Sequence, residues 1–384
     1  MHTVKLKRST LALFIATLAA CGGNDTEAPP AQPQSTQPAP VAATPPAATP
    51  PAAPPASVAG DCAGEQGLTY ICGVQAAEDL LSLDSANLVL ASGMSDANAN
   101  VPGHMYLIDT ATKEVTELVQ GPNFTQAHDT TMFPDCPGPL NLQDFSVHGL
   151  SVAEIAPQTW SVYTTSHGER EAVEVYELSL AGAEPALAWK GCVVLPENTF
   201  SNSVARLNDG GFVVTKMMDP AQGFASIQSG GITGNVFEWH PGGEVMAIDG
   251  TELSGANGIA VSPDERYIYV AAFGSREIVR FDTSTMPIGK EAVSVDIVPD
   301  NVRWSDDGKL LVAGGNAPQE GCEGAACQTG WSVIEVDPET LEVTRIGGAD
   351  QNAALQGVSS ALQVDGNIWV GTFNGDRVGY FARE

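Results

Sequence analysis

The stretch Ser254 to Phe273, SGANGIAVSPDERYIYVAAF, sets a grammar that the chain repeats. A short apolar strand opens on a polar residue, Asn257. The turn Ser262-Pro263-Asp264-Glu265-Arg266 follows, and then a β-branched and aromatic run from Tyr267 to Ala272. Pro and Asp preset turn dihedrals, and the alternation in Tyr267-Ile268-Tyr269-Val270 has the period of a strand. Similar units begin near Glu78, His148, Asn202, Asn257, Asp300 and Ser359. Their spacing, roughly 45 to 70 residues, is that of propeller blades with insertions. The turns repeat too: Asp84-Ser85-Ala86-Asn87, Asn208-Asp209-Gly210-Gly211, Asp306-Asp307-Gly308 and Asp365-Gly366. Units of about four strands each predict an all-β, six-bladed β-propeller with a central channel. Leu68 to Cys72 precedes the first unit. It is expected to add a strand to the last blade, leaving no sheet edge open.

What lies before that ring is not expected to pack. Residues 1–20 read as a targeting segment: Lys5, Lys7 and Arg8 precede a short apolar run, Leu11 to Leu18, too short to span a bilayer. The run ends in Leu18-Ala19-Ala20-Cys21, which resembles the bacterial lipoprotein cleavage box. That resemblance implies a lipid on Cys21 and, with Gly22 following, an outer-membrane address in the cell envelope. Residues 21–60 are dominated by Pro, Ala, Thr and Gln. Such a segment forms an extended tether, reaching on the order of 100 Å at ~3.1 Å per residue. Residues 61–384 remain for the propeller.

Charge and cysteines narrow the partners. The net charge is −29, which repels nucleic acid and anionic headgroups and suits divalent cations. Without Cys21, six cysteines remain, and an even number in an exported chain argues for disulfides. Local pairing gives Cys62–Cys72, Cys136–Cys192 and Cys322–Cys327. No Cys/His zinc spacing, GxSxG elbow, HExxH pair, phosphate loop or basic stripe is present. Ser166, His167 and Glu169 are catalytic residue types, but neighbours on a strand face opposite ways and cannot form a triad.

The innermost strand of each blade lines the channel, so the residues opening those strands converge on one mouth. Here they are Glu78, Asn202, Asn257, Asp300 and Asn301, with His148 among them. Two carboxylates and three amide carbonyls are hard oxygen ligands. They suit Ca²⁺, which takes six or more oxygens at ~2.3–2.6 Å, better than zinc.

From Glu78 to the C-terminus the chain resembles the paraoxonases, calcium-dependent lactonases and arylesterases on a six-bladed propeller. The motifs are Ala77-Glu78-Asp79-Leu80, Phe145-Ser146-Val147-His148-Gly149-Leu150-Ser151, Ser166-His167, Asn202, Ala256-Asn257-Gly258-Ile259, Asp300-Asn301 and Trp369-Val370-Gly371-Thr372-Phe373. Gluconolactonase-like propellers share the Glu/Asn/Asn/Asp set but typically lack His-Gly-Leu-Ser. The resemblance implies a catalytic calcium held by Glu78, Asn202, Asn257, Asp300 and Asn301. It also implies a structural calcium at Asp79 and the Leu150 carbonyl. Ser203 stands where the family supplies that second ion with another carboxylate. The family also ties its termini by a disulfide, and no cysteine lies near Glu384, so closure here is expected from strand pairing alone.

By the same resemblance His148 is the general base and His167 its partner; a neutral imidazole suits that work near pH 7. The expected activity is calcium-dependent hydrolysis of lactones and aryl esters, the metal polarising the carbonyl while His148 activates water. Two alternatives stay open: a non-catalytic binding propeller stabilised by calcium, and a hydrolase of sugar-acid lactones.

Overall fold

Six largely antiparallel sheets hold the strands of the described residues, and the innermost strand of each carries one of the polar residues that open the repeats. The computed structural model describes residues 62–65, 67–96, 101–317, 330–351 and 354–383. The targeting segment, Cys21, the tether and the Cys322–Cys327 pair lie outside them. The innermost strands are Ala77–Leu83, Val147–Ala156, Phe200–Arg206, Ala256–Val261, Ile297–Trp304 and Gln356–Val364. Each packs on the innermost strands of the neighbouring blades, and the last packs on the first, so the ring is closed. The chain is a six-bladed β-propeller.

Ring closure follows the expectation. Thr69–Cys72 pairs antiparallel with Arg377–Ala382 as the outer strand of the last blade, with Thr69 opposite Tyr380 and Cys72 opposite Arg377. Cys62 and Cys72 are disulfide-bonded, as are Cys136 and Cys192. Strand pairing supplies the closure, and the first disulfide fastens the preceding segment to the closing strand.

The turns are made by the residues expected. Asp365 and Gly366 both take positive φ, 49° and 75°, which a tight hairpin of this hand requires. Asn87 adopts the left-handed conformation after the short 3₁₀ turn Asp84–Ala86. One strand lies outside the repeating grammar. Phe124–Gln126 is a short strand running parallel to the outer strand Ala186–Val194 of the second blade. The insertion carrying it is tied back by Cys136–Cys192, and it covers what would otherwise be an open sheet edge.

Large side chains fill the space between blades. Trp189, Tyr176, Phe212 and Trp239 belong to one buried cluster in the first half of the ring. Phe212 stacks on Trp239 with ring centroids 5.4 Å apart. These inter-blade layers make a rigid wall around the channel.

Candidate functional site

The six innermost strands all break register at the same level, and the break is what builds the site. Pairing shifts between Ala77 and Asp79, Val147 and Leu150, Ser201 and Val204, Ala256 and Ile259, Pro299 and Val302, and Val358 and Ser360. The residues inside these shifts are Glu78, His148-Gly149, Asn202-Ser203, Asn257-Gly258, Asp300-Asn301 and Ser359. A bulge re-aims side chains that a regular strand would point into the blade. Six bulges at one level therefore gather six polar segments around the channel axis. Two need glycine for the close approach. A Cβ on Gly149 would lie 2.5 Å from Ser203 Cα, and one on Gly258 would lie 2.6 Å from Asn301 Cα.

Hydroxyls on the neighbouring strands satisfy the backbone groups that the bulges expose. Thr165 Oγ1 accepts from Gly149 N at 2.9 Å and donates to Asn202 O at 2.6 Å. Thr215 Oγ1 repeats this one blade on, accepting from Ser203 N at 3.0 Å and donating to Asn257 O at 2.6 Å. Each threonine thus links its own bulge to that of the next blade.

Glu78, Asn202, Asn257, Asp300 and Asn301 are all buried. Their donors are spent on one another. Asn301 Nδ2 donates to Glu78 Oε1 at 2.7 Å, Asn202 Nδ2 lies 3.3 Å from His148 Nε2, and the Asn257 side chain hydrogen-bonds Asp300. Their acceptors are not. Glu78 Oε2, Asn202 Oδ1, Asn257 Oδ1 and Asn301 Oδ1 are buried with no hydrogen-bond partner among the described residues. An orphaned buried acceptor costs about 1–3 kcal/mol, so four in one cluster call for a common donor or cation. Asp300 adds the same demand, for burial and the neighbouring Glu78 charge push its carboxyl well above the usual range. Hard oxygens, two carboxylates and no thiolate fit a divalent hard cation such as Ca²⁺.

Beside this cradle runs a chain of proton carriers. His148 Nδ1 is 2.7 Å from His167 Nε2, and His167 Nδ1 is 3.0 Å from Glu171 Oε2. Phe200 stacks flat on the His167 ring, centroids 4.3 Å apart and planes 2° from parallel. The carboxylate can only accept, so His167 carries its proton on Nδ1. Its Nε2 then accepts from His148 Nδ1–H, and His148 Nε2 keeps its lone pair on the cradle side, 3.3 Å from Asn202 Nδ2 and 3.4 Å from Glu78 Oε1. Burial alone would lower the His148 pKa, but Glu78, Asp300 and Glu171 together raise it. Glu171 also accepts from Ser201 N at 2.5 Å and Ser201 Oγ at 2.6 Å, next to Asn202.

Asp79 and Leu150 have a different partner from the one expected of them. Arg303, buried and two residues beyond Asn301, donates Nε to Asp79 Oδ1 at 3.0 Å and pairs through Nη2 with Asp79 Oδ2. Nη2 also donates to Leu150 O at 3.0 Å. A guanidinium occupies the position where a second calcium was expected, and these residues do not fit that ion. Burial lowers the Arg303 pKa to about 10, against the opposing pull of Glu78, so it stays a cation at neutral pH.

Sequence reasoning missed Glu171, Arg303, Phe200 and the two threonines. Arg303 carried a signal: it interrupts an apolar inner strand in a chain with only 17 Lys and Arg against 46 Asp and Glu. Glu171 carried none, since Glu169 sits in the same turn and nothing in the pattern separates them.

The family model described as SMP-30/Gluconolactonase/LRE-like region matches residues 188–351. No curated protein matches the chain. Among solved structures the chain is similar to a luciferin-regenerating enzyme, at 15% identity and a TM-score of 0.51 over 81% of this chain and 92% of that one. It is similar to the gluconolactonase XC5397 from Xanthomonas campestris, at 16% identity and a TM-score of 0.50 over 83% and 89%. It is also similar to the calcium-binding protein regucalcin from Agrobacterium tumefaciens, at 11% identity and a TM-score of 0.50 over 82% and 93%. At these identities the likeness is one of fold: the chain shares the six-bladed propeller of the gluconolactonase and regucalcin structures.

Proposed function

We propose that the chain is a metal-dependent hydrolase of lactones and activated carboxylic esters. The observation that carries this reading is the cluster of four unpartnered buried oxygens beside the unprotonated Nε2 of His148. Glu78, Asn202, Asn257, Asp300 and Asn301 would hold Ca²⁺, which when bound supplies a Lewis acid for the carbonyl oxygen. The protein's own groups do the rest. His148 Nε2 takes a proton from water as the water oxygen bonds to the carbonyl carbon. The Nδ1–H bond to His167, fixed in turn by Glu171, keeps that lone pair aimed and spreads the incoming positive charge. When the C–O bond breaks, His148 returns the proton to the alkoxide, giving a hydroxy acid from a lactone or an acid and an alcohol from an ester.

The gluconolactonase-type match over residues 188–351 supports lactones as the substrate class. Phe224 and Phe373 are exposed, Phe224 edge-on to Phe273 at 5.5 Å, and Phe273 and Phe373 lie at the ends of their blades where the innermost strands begin. With Cys21 lipidated, the tether would present this site outside the outer membrane or in the periplasm.

Two substitutions test the reading. Glu78→Gln removes a cradle charge and is expected to abolish calcium binding and turnover together. His148→Gln is expected to lower the rate while calcium stays bound. Full activity in either variant contradicts the proposal.

A further inference from the structure

We propose that Arg303 is a tethered cation that closes the Asp79–Leu150 node without a metal, so that the ring of blades holds together when calcium is removed. Asp79 is fully buried, and its carboxylate must be compensated or protonated. Every bond it makes fits a permanent ion pair. Asp79 Oδ1 accepts from Leu80 N at 2.9 Å and from Arg303 Nε at 3.0 Å. Oδ2 accepts from Leu150 N at 2.7 Å and from Arg303 Nη2. Nη2 also donates to Leu150 O and Nη1 donates to Val302 O, each at 3.0 Å. Asp79, Leu150 and Arg303 come from the first, second and fifth blades, so the node spans the channel and joins innermost strands that are not all neighbours.

The charges balance one for one. One buried carboxylate meets one buried guanidinium, whereas a divalent ion calls for a second carboxylate. Against Gly149, which precedes Leu150, stands Ser203, whose buried Oγ carries no charge and has no partner among the described residues. A carboxylate there would leave the node negative. Arg303 and Ser203 thus belong together: the fixed cation makes the extra acid unnecessary. A calcium at this level would leave on chelation and release three blades, but a guanidinium cannot be stripped away. Asp79 is also the neighbour of Glu78, so the pair holds the first bulge in place and keeps the oxygen cradle shaped for reloading.

The test is thermal melting of the full chain with calcium and with excess chelator, alongside the calcium content per chain after equilibrium dialysis. The expected result is at most one calcium per chain and a cooperative melt in chelator. Two tightly held ions, or unfolding on chelation at room temperature, would overturn the proposal. No bound calcium with an intact melt would contradict the metal cradle above and leave the role of Arg303 standing. Arg303→Met is expected to lower the melting temperature on the order of 10 °C, because Asp79 is left buried and unpaired. The double variant Arg303→Met, Asp79→Leu removes both charges and is expected to recover most of that loss. An Arg303→Met protein that melts with the wild type would refute the inference. Should that variant fail to fold, the double variant and the wild-type stoichiometry still decide.

Discussion

Replacing Glu171 by Gln changes one atom and forces a choice on the site. Glu171 Oε1 accepts from Ser201 N at 2.5 Å and Ser201 Oγ at 2.6 Å, while Oε2 accepts from His167 Nδ1 at 3.0 Å. If the glutamine keeps its oxygen toward Ser201, its NH₂ faces His167 Nδ1, which must become an acceptor. The His167 proton then sits on Nε2 and donates to His148 Nδ1. That transfers the His148 proton to Nε2 and blocks the lone pair meant for water. If the amide flips instead, His167 keeps its tautomer but the two Ser201 bonds are lost. Two lost hydrogen bonds to a neutral amide amount to about 1–3 kcal/mol, which is the most that restoring the active tautomer can cost. The corresponding fall in kcat is at most roughly 150-fold. Calcium affinity is expected to stay within about threefold, since Glu171 touches none of the cradle oxygens. Lactone hydrolysis paired with calcium calorimetry reads both quantities. A fall in kcat well beyond that bound in a folded, calcium-binding variant would refute the tautomer argument, and so would an equal loss in calcium binding.

The other predictions concern the cradle and its supports. Gly258→Ala forces a Cβ against Asn301 Cα and is expected to cost about 1–3 kcal/mol of stability and at least roughly tenfold in calcium affinity; wild-type affinity in this variant would mean that close approach does not shape the site. Thr215→Val orphans Ser203 N and Asn257 O, and its melting temperature should fall by roughly 5 °C or more. Calcium binding is expected to release up to about one proton, because Asp300 holds its proton tightly in the metal-free protein and must give it up as a ligand. Affinity should therefore rise with pH until Asp300 is ionised without metal. The same raised pKa makes the metal-free fold lose stability as pH rises through the folded Asp300 value. Calorimetry in buffers of different ionisation enthalpy would show no proton release if Asp300 is not a ligand.

The propeller was legible because its turns are written in residues with few alternatives. Asp365-Gly366 and Asp306-Asp307-Gly308 can do little but turn, and the runs between them have a strand's period. The cradle was legible only by aligning the repeats, for no single Asn or Asp stood out. What the alignment could not show was the bulge at each position. A regular strand would aim Asp300 and Asn301 to opposite faces, and only the broken register lets both serve one site. Arg303 and Glu171 were missed for a related reason. Each acts on residues from other blades or bulges: Arg303 on Asp79 and Leu150, Glu171 on His167 and Ser201. Proximity of that kind comes from closing the ring and has no local signature. The expected second calcium shows the consequence, since Asp79 and Leu150 read the same whether an ion or a guanidinium stands between them.

The most direct test of the central claim is hydrolysis of a panel of lactones and an aromatic ester by the purified protein, with calcium and with chelator. The account predicts turnover that is strongest on lactones, disappears with chelator and returns when calcium is restored. Turnover indifferent to chelator, or none on any substrate while calcium still raises the melting temperature, would contradict it and leave a metal-stabilised binding propeller.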